Sequence, residues 1–181
     1  KDENNIKLKK RVEPGTVIAG LTLSFHVLKT LFSGFSREVS IGVDNETHKR
    51  WTASNVYFYS GTSDAVLPHT VPSSKALLYT ARKTGWSTNG SEGVFTYHMS
   101  DGNTLAVLFS IPYNQIWNKN RWNVKIYRGH RRAGKRMYKA MFYRKAFKAN
   151  NHWRFRYLGY GRRMRGYMTS SSKALLRIRV F

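Results

Sequence analysis

Large aromatic side chains crowd residues 110–143, where their rings could bind a cation or a membrane surface. The segment 113–122 carries large rings among polar residues, and Tyr138, Phe142 and Tyr143 follow at a helical spacing. Such rings attract quaternary ammonium groups, and Trp and Tyr suit a membrane interface because each joins an apolar body to a polar tip. Aromatic rings also fill protein cores, and rings interleaved with Lys and Arg form platforms for single-stranded nucleic acid. The aromatic pattern alone therefore leaves these three interpretations open.

Residues for catalysis or metal binding are few and scattered. The chain has no cysteine, nine carboxylates and six histidines, and no two histidines have metal-ligand spacing on one predicted element. The sequence contains no phosphate-binding loop, dinucleotide fingerprint or nucleophile elbow. We therefore expect a protein that is not an enzyme, with no catalytic residues, no metal and no cofactor.

Positive charge is concentrated in the second part of the chain. The 181 residues carry a net charge of +23, and residues 1–101 hold all nine carboxylates. Residues 102–181 hold twenty Lys and Arg residues and no acidic side chain. Such a field attracts polyanions, which means nucleic acid or an anionic membrane surface.

An amphipathic helix is predicted near the start of the chain, within residues 14–35. Its apolar stripe has the helical spacing 3, 4, 3, 4 and consists of Ile18, Leu21, Phe25, Leu28 and Phe32. From Pro14 to Ser33 the helix would be about 30 Å long, close to the thickness of a bilayer's hydrocarbon core. Its polar face excludes a solitary membrane span. It favours a helix bundle around water or an interfacial position, unless the stripe simply packs on a core.

The remainder of the chain predicts short strands and one more helix. Strands are expected at 38–44, 51–60, 65–71, 76–82, 94–99, 104–111, 122–127, 153–158, 167–170 and 175–181, with the second helix at about 133–145. Asp101-Gly102 suits a type I′ hairpin turn. The fold class is therefore mostly β, a β-sandwich flanked by two α-helices. Residues 1–13 are expected to be a flexible polar tail, and residues 36–181 to form the sandwich domain.

Seven stretches of the sequence are similar to a known protein family. They are residues 23–30, 42–46, 60–64, 66–69, 75–79, 99–110 and 158–161. The similarity runs from about Thr16 to the C-terminus. Through these stretches the chain resembles the actinoporins, the sphingomyelin-targeting α-helical pore-forming toxins of sea anemones and their relatives.

The resemblance implies a secreted, soluble monomer that acts on a target cell membrane. Its membrane lipid partners would be sphingomyelin, cholesterol and, from the charge, anionic lipid, with no specific nucleic acid. The N-terminal helix would detach at a hinge in residues 33–37 and insert, and the copies would assemble into an octameric ring that conducts ions. The alternative is a non-lytic member of the same fold that binds lipid or another polyanion.

The resemblance also assigns roles to individual positions. The phosphocholine and lipid-binding group is Ser60, Ser110, Pro112, Tyr113, Trp117, Tyr138, Phe142 and Tyr143. The membrane-interface loop adds Asn118, Arg121 and Trp122. The pore-lining group is Ala19, His26, Lys29 and Ser33, and the protomer contacts are Phe25, Val66 and Trp153.

Several of these positions depart from the family pattern. Phe142 replaces a tyrosine, Glu92 a valine, Arg121 a tryptophan and Asn118 a tyrosine. We therefore expect a greater dependence on anionic lipid and a looser requirement for sphingomyelin. The pore-lining face holds no carboxylate, so we also expect a reduced cation preference, and more so when His26 is protonated.

Overall fold

The structure is a computed structural model that describes residues 12–181, so residues 1–11 of the expected tail lie outside it. The described residues form twelve strands, two α-helices and a 3₁₀ turn at Gly20–Thr22. The helices are α1 Phe25–Lys29 and α2 Lys135–Tyr143. The strands are β1 Val17–Ala19, β2 Glu38–Asn45, β3 Trp51–Ser60, β4 Thr70–Val71, β5 Lys75–Arg82, β6 Ser91–Met99, β7 Thr104–Ile111, β8 Arg121–Tyr127, β9 Phe147–Lys148, β10 Trp153–Gly159, β11 Arg162–Met168 and β12 Lys173–Val180.

Two six-stranded sheets pack face to face, which confirms the predicted β-sandwich with a helix on each side. The first sheet has the order β1-β5-β2-β12-β11-β10, and the second has the order β4-β3-β6-β7-β8-β9. Neighbouring strands are antiparallel except β12 and β2, which pair in parallel with Lys173 opposite Glu38. This parallel pair joins the end of the chain to the strand that follows the N-terminal segment.

Large side chains from both sheets fill the space between them. The bulkiest fully buried residues include Trp51, Trp122, Tyr79, Tyr97, Phe95 and Phe109. All eight residues of β7 are buried, because its inner side chains enter this core and its outer ones lie beneath α2. This double burial explains the continuous apolar run at 104–111 and confirms its interpretation as a buried strand.

The helix predicted over residues 14–33 is wrong for this folded state, because only the five residues of α1 are α-helical. The preceding residues pair as β1 with β5, and β-branched Val17 and Ile18 suit that extended pairing. At position 20 a Cβ would overlap a carboxylate oxygen of Asp44, so glycine allows the chain to lie flat on β2. Ser24 then caps α1 by accepting a hydrogen bond of 3.1 Å from the amide of Val27.

The amphipathic stripe is therefore only partly used. Leu28 is buried and Phe25 and Phe32 are partly buried, but Leu21 is fully exposed at 103%. Leu23, which stands outside the stripe, is buried instead beside Gly42, where a Cβ would overlap its side chain. Within residues 12–181, no helix is both long enough and apolar enough to cross a membrane.

Several other boundaries differ from the predictions. The strand expected at 65–71 is reduced to β4, because Pro68 interrupts this stretch and has no amide to donate. The strand expected at 167–170 begins earlier, as β11, where exposed arginines alternate with inward Met164 and Met168. The hairpin at Asp101-Gly102 is present, but only Gly102 has a positive φ, so the turn is not type I′.

Candidate functional site

A polar cavity of about 260 Å³ opens at one end of the second sheet, next to α2. Its lining residues are Thr88, Asn89, Gly90, Glu92, Ser110, Pro112, Tyr113, Asn114, Asn118, Lys119, Arg121 and Phe142. Of the eight residues predicted to bind lipid, four line it directly: Ser110, Pro112, Tyr113 and Phe142. Glu92 is the one carboxylate among these lining residues.

Strand register explains how distant residues meet at this cavity. Ser60 of β3 lies opposite Glu92 of β6, which lies opposite Ser110 of β7, which lies opposite Arg121 of β8. Residues directly opposite each other on neighbouring strands point to the same face of a sheet. The four side chains therefore form one row across four strands, which we call the headgroup row after the role that the family resemblance implies for Ser60 and Ser110.

Glu92 is the hydrogen-bonding centre of the headgroup row. The hydroxyl of Ser60 donates to one of its carboxylate oxygens at 2.9 Å, and the hydroxyl of Ser110 donates to the other at 2.8 Å. Ser60 therefore reaches the site through Glu92 rather than by lining the cavity. A valine at position 92, as the family pattern has, would leave both hydroxyls without this acceptor.

The rings of α2 stack against a tyrosine that sequence reasoning missed. Tyr138 is buried and stacks on Tyr59 with ring centres 4.8 Å apart and nearly parallel planes. Its further aromatic neighbours are Phe142 at 5.8 Å and Tyr57 at 6.4 Å, and Phe142 in turn meets Tyr143 edge-on at 5.0 Å. Burial, reinforced by the charge of Glu92, raises the pKa of the Tyr138 hydroxyl well above its usual range. Tyr138 is therefore buried behind Phe142 and does not line the cavity, whereas Tyr143 is 74% exposed.

Two arginines cover rings that were expected to be free for a ligand. The guanidinium carbon of Arg121 lies 4.6 Å from the ring centre of Phe142, and that of Arg37 lies 5.0 Å from the ring centre of Tyr113. Arg37 also donates two hydrogen bonds to the backbone carbonyl of Tyr113. Both contacts are cation–π arrangements, so on one face of each ring a guanidinium already occupies the position that a quaternary ammonium could take.

The loop between β7 and β8 projects apolar side chains into solvent beside the cavity. Trp117 is 82% exposed and Ile116 is 87% exposed. The side-chain oxygen of Asn114 holds this turn by accepting hydrogen bonds from both of their amides, and Asn118 is exposed on the same turn. Trp86 is fully exposed on the loop between β5 and β6, whose Thr88 and Asn89 line the same cavity. The sequence analysis did not identify this second loop, although a tryptophan within the turn-rich stretch 84–90 could have indicated it.

Trp122 was wrongly included in the membrane-interface loop. It is 1% exposed, stacks on Phe147 with ring centres 4.7 Å apart and packs against Gly166. It lies opposite Phe109 on β7, so its side chain points into the core between the sheets. Its neighbour Arg121 points the other way, as alternation along a strand requires.

The N-terminal segment, residues 14–35, covers the outer face of the first sheet. The four residues expected to line a pore, which are Ala19, His26, Lys29 and Ser33, are all exposed. Arg177 of β12 donates a hydrogen bond of 2.9 Å to the carbonyl of Leu23. One carboxylate oxygen of Asp44 is buried beneath Gly20 without a hydrogen-bond partner. Burial and the nearby charge of Glu46 raise the pKa of Asp44 to about 6.

The expected hinge at residues 33–37 is held by hydrogen bonds to Glu38, the residue that follows it. The buried carboxylate of Glu38 accepts hydrogen bonds from the amide and the hydroxyl of Ser33 and from the amide of Phe35. Gly34, between them, has a φ of +100°, and a Cβ at this position would have no other atom within 4 Å. Since Arg37 is bonded to Tyr113, this hinge lies beside the exposed aromatic loop.

The residues expected at protomer contacts fall in two places. Phe25 and Trp153 lie together, with ring centres 6.2 Å apart, and Arg177 lies over both rings. Val66 is 82% exposed on the loop between β3 and β4. It is next to Gly15, at the start of the N-terminal segment.

A second cleft, of about 320 Å³, lies between α2, β8 and β10. Its lining includes apolar Val124, Ile126, Met141 and Leu158 and four cationic residues, Lys125, Arg144, Lys145 and Arg156. It contains no carboxylate side chain, because residues 102–181 have none. Burial, together with nearby Arg154, lowers the pKa of Arg156 from its usual range.

Comparison with known proteins gives a consistent result. Residues 13–181 match the family described as sea anemone cytotoxic protein. Deep-sea actinoporin Cjtox I of Cribrinopsis japonica is 52% identical over 182 residues, covering 98% of this chain and 83% of that protein. DELTA-actitoxin-Aeq1a of Actinia equina is 53% identical over 171 residues, covering 92% of this chain and 80% of that protein. Among solved structures, the lipid binding protein Nakanori shares the fold, with a TM-score of 0.65 at 16% identity over 81% of this chain and 72% of its own.

Proposed function

The chain belongs to the sea anemone cytotoxic protein family, the actinoporins, and from this premise we propose how it acts as a pore-forming cytolysin. It binds a membrane through zwitterionic lipid headgroups such as the phosphocholine of sphingomyelin. It then oligomerises and inserts its N-terminal segment to form an ion-conducting pore. No step of this activity requires catalysis, a metal or a cofactor.

The observation that carries the proposal is the headgroup cavity with exposed apolar side chains beside it. The cavity holds charged groups of both signs, and a zwitterionic headgroup carries a phosphate and an ammonium. Trp117 and Ile116 next to it are more than four-fifths exposed. Burying each such side chain in a membrane contributes about 1.5–3 kcal/mol. Headgroup recognition and shallow insertion would therefore occur at one end of the molecule.

Anionic lipid supports the same docking step. The cationic rim of the second cleft has no carboxylate of its own among its lining residues. A Lys or Arg near an anionic membrane surface contributes about 1 kcal/mol of attraction. We propose that anionic lipid strengthens binding, and that cholesterol and sphingomyelin are further lipid partners.

The unused helical stripe supports insertion of the N-terminal segment. Leu21 belongs to the stripe by its spacing, yet it is fully exposed in the folded chain, where residues 17–22 are not α-helical. A continuous helix over residues 14–33 would bring Leu21 back in line with Phe25 and Leu28. The sequence pattern is therefore satisfied in a longer helix than the folded state contains.

The pore is proposed to be a ring of copies, with an octamer as the family expectation. Its lumen would be lined by Ala19, His26, Lys29 and Ser33, which bring one permanent cation per copy and no carboxylate. Phe25, Trp153 and Val66 would contribute to contacts between copies. We expect weak or inverted cation selectivity, measured as the reversal potential across a planar bilayer in a salt gradient.

Dye release from vesicles tests the proposed function. Vesicles of phosphatidylcholine and cholesterol are compared without addition, with sphingomyelin and with an anionic lipid. We expect release with sphingomyelin, and stronger binding at low ionic strength when anionic lipid is present. Tight binding without release in every mixture would instead support a non-lytic lipid-binding protein, an alternative favoured by the engagement of both Ser60 and Ser110 with Glu92.

A further inference from the structure

We propose that the headgroup cavity prefers a phosphoethanolamine headgroup, with its primary ammonium, over phosphocholine. This inference rests on the proposed function of the same cavity and specifies its ligand. It depends on three features of the cavity: a central carboxylate, aromatic rings that are each covered on one face by an arginine, and a cation that can hold the phosphate.

The carboxylate of Glu92 provides hydrogen-bond acceptors at the centre of the headgroup row. A carboxylate offers about four acceptor positions, and the hydroxyls of Ser60 and Ser110 use two of them. A primary ammonium can donate charge-assisted hydrogen bonds to those that remain. A trimethylammonium has no N–H group, so it gains only the general attraction between opposite charges.

One face of each aromatic ring that lines the cavity, Tyr113 and Phe142, is covered by a guanidinium of the chain. Arg121 lies over Phe142 and Arg37 lies over Tyr113, each with its guanidinium within 5.0 Å of the ring centre. Tyr138 is covered on one side by Tyr59 and is 3% exposed. On these covered faces a quaternary ammonium would have to displace a guanidinium before it gained the cation–π attraction that normally selects it.

Open aromatic surface remains on Tyr113, which is 41% exposed, and more of it lies at the rim of the site. Tyr143, which is 74% exposed, retains a solvent-facing ring but is not among the residues that line the cavity. It could contact a headgroup of either kind as the membrane surface approaches. It therefore offers little discrimination between a primary and a quaternary ammonium.

Arg121 and Lys119 supply the positive charge for the phosphate. Both line the cavity with Glu92, and Arg121 follows it two strands along the headgroup row. Neighbouring strands are about 4.8 Å apart, so the Glu92 and Arg121 backbones are separated by about 10 Å. This leaves room between the two side chains for a headgroup whose phosphate and ammonium are joined by a two-carbon linker.

Binding to vesicles that differ only in the headgroup tests the inference. One pair contains a sphingolipid with either phosphoethanolamine or phosphocholine, and a second pair contains a glycerolipid with the same two headgroups. We expect the wild-type chain to bind the phosphoethanolamine vesicles about tenfold more tightly within each pair, a difference typical of one charge-assisted hydrogen bond. The two pairs show whether the lipid backbone adds to the preference.

Two variants connect the preference to Glu92. Glu92→Gln keeps the size of the side chain but removes its charge, and it should abolish most of the preference. Asp101→Asn also removes one carboxylate charge, but at the exposed tip of the β6–β7 hairpin, where an asparagine oxygen can still accept from the amide of Asn103. This control should retain the wild-type preference.

The outcomes separate this inference from the proposed function. Dye release with equal or tighter binding of phosphocholine by the wild-type chain would overturn the inference and leave the pore-forming function intact. An unchanged preference in Glu92→Gln would also overturn it. Absence of release with every headgroup would contradict the proposed function itself. The wild-type ranking decides the question even if Glu92→Gln fails to fold.

Discussion

The two helical layers of the sandwich are attached in different ways. On the first sheet, the N-terminal segment rests on a small cluster that includes Leu23, Leu28 and Leu31, and its strand β1 has only three residues. On the second sheet, α2 buries Tyr138 and Met141 against strands β6 and β7. The first layer contacts the core between the sheets through Val17, whereas the second is continuous with the proposed lipid-binding site.

Polar contacts reinforce this contrast. The buried amide of Asn123 on β8 donates to the carbonyls of Met141 and Arg144 at the end of α2, and its oxygen accepts from Arg156. Beneath the N-terminal segment, by comparison, an oxygen of Asp44 is buried with no partner. An unsatisfied buried polar group costs free energy, so it weakens the attachment of whatever covers it. We refer to α2 as the permanent layer and to the N-terminal segment, whose release is proposed, as the releasable layer.

A disulfide between β1 and β5 should eliminate pore formation, because it would prevent release of the first layer. Ala19 and Lys75 are exposed partners in a non-hydrogen-bonded position of this pair, where Cα atoms lie about 4.5 Å apart, within the range that disulfides span. The wild-type chain has no cysteine to interfere. Ala19→Cys combined with Lys75→Cys should release no dye when oxidised and should recover release on reduction. Full release by the oxidised form would show that β1 need not leave.

Removing the exposed ring of Trp117 should weaken membrane binding without changing stability. The ring is in solvent before binding and in the membrane afterwards, so Trp117→Ala should lower partitioning into vesicles by about tenfold to a hundredfold. Tyr160→Ala is a matched control, because Tyr160 is also an exposed aromatic residue but lies in the turn between β10 and β11, outside the β7–β8 loop. Equal losses in sedimentation assays with both variants would contradict a specific docking end.

Replacing Asn123, which holds α2, should lower the free energy of unfolding more than removing the cap of α1 in the N-terminal segment. Asn123→Ala leaves the buried carbonyl of Met141 and the partly buried carbonyl of Arg144 without this donor and should lower the free energy of unfolding by about 2–3 kcal/mol. Ser24→Ala, which removes the cap of α1, should cost about 1 kcal/mol, confined to docking of the segment. Denaturant unfolding measures the first effect, and hydrogen exchange of the α1 amides measures the second. A larger change in unfolding free energy for Ser24→Ala would reverse the assignment of the two layers.

The charge of Asp44 should make docking of the N-terminal segment weakly pH-dependent. Its pKa is raised to about 6 when docked, by burial and then by Glu46, against opposing contributions from Arg179 and Arg177. Its contribution to docking is therefore complete below its ordinary pKa of 3.8 and is lost as the pH rises through about 6. Because the carboxyl is only half-buried, we expect about 1 kcal/mol after allowance for solvent screening.

Asp44→Asn should remove this dependence by keeping the side chain neutral. Hydrogen exchange of the β1 and α1 amides, corrected for intrinsic rates, should show greater protection at pH 5 than at pH 7.5 in the wild-type chain. The variant should show similar protection at both values. A pH dependence that survives in Asp44→Asn would assign it to another group.

Sequence patterns predicted strands β3 and β7 and helix α2 better than they predicted the N-terminal segment. The predicted strands at 51–60 and 104–111 match β3 and β7, and α2 lies within the predicted 133–145. In each of these segments the sequence pattern fits the one conformation that the segment has in the fold. The N-terminal stripe instead carries the pattern of a long helix that the folded chain does not form. Gly20 and Gly42 decide that difference through close packing, and no periodicity in the sequence reveals which residues will approach them.

The cavity was predicted in its composition but not in its internal contacts. Ser110, Pro112, Tyr113 and Phe142 were identified through family resemblance and all line it. The bonding of Glu92 to two serines and the covering of rings by Arg37 and Arg121 depend on strand register and side-chain orientation. Arg37 is 76 residues from Tyr113, and such a contact has no local sequence signal.

The short strand β1 has one more consequence, for the behaviour of the chain after its N-terminal segment leaves. β1 is the outer neighbour of β5, so its departure would turn β5 into an edge strand with unpaired backbone amides and carbonyls. Open edges of this kind invite strand addition and aggregation. Lys75, at the start of β5 and opposite Ala19 of β1, places positive charge on that edge and would repel an identical edge of another copy. The chain can therefore expose a new edge while its copies assemble, with a built-in barrier against pairing through it.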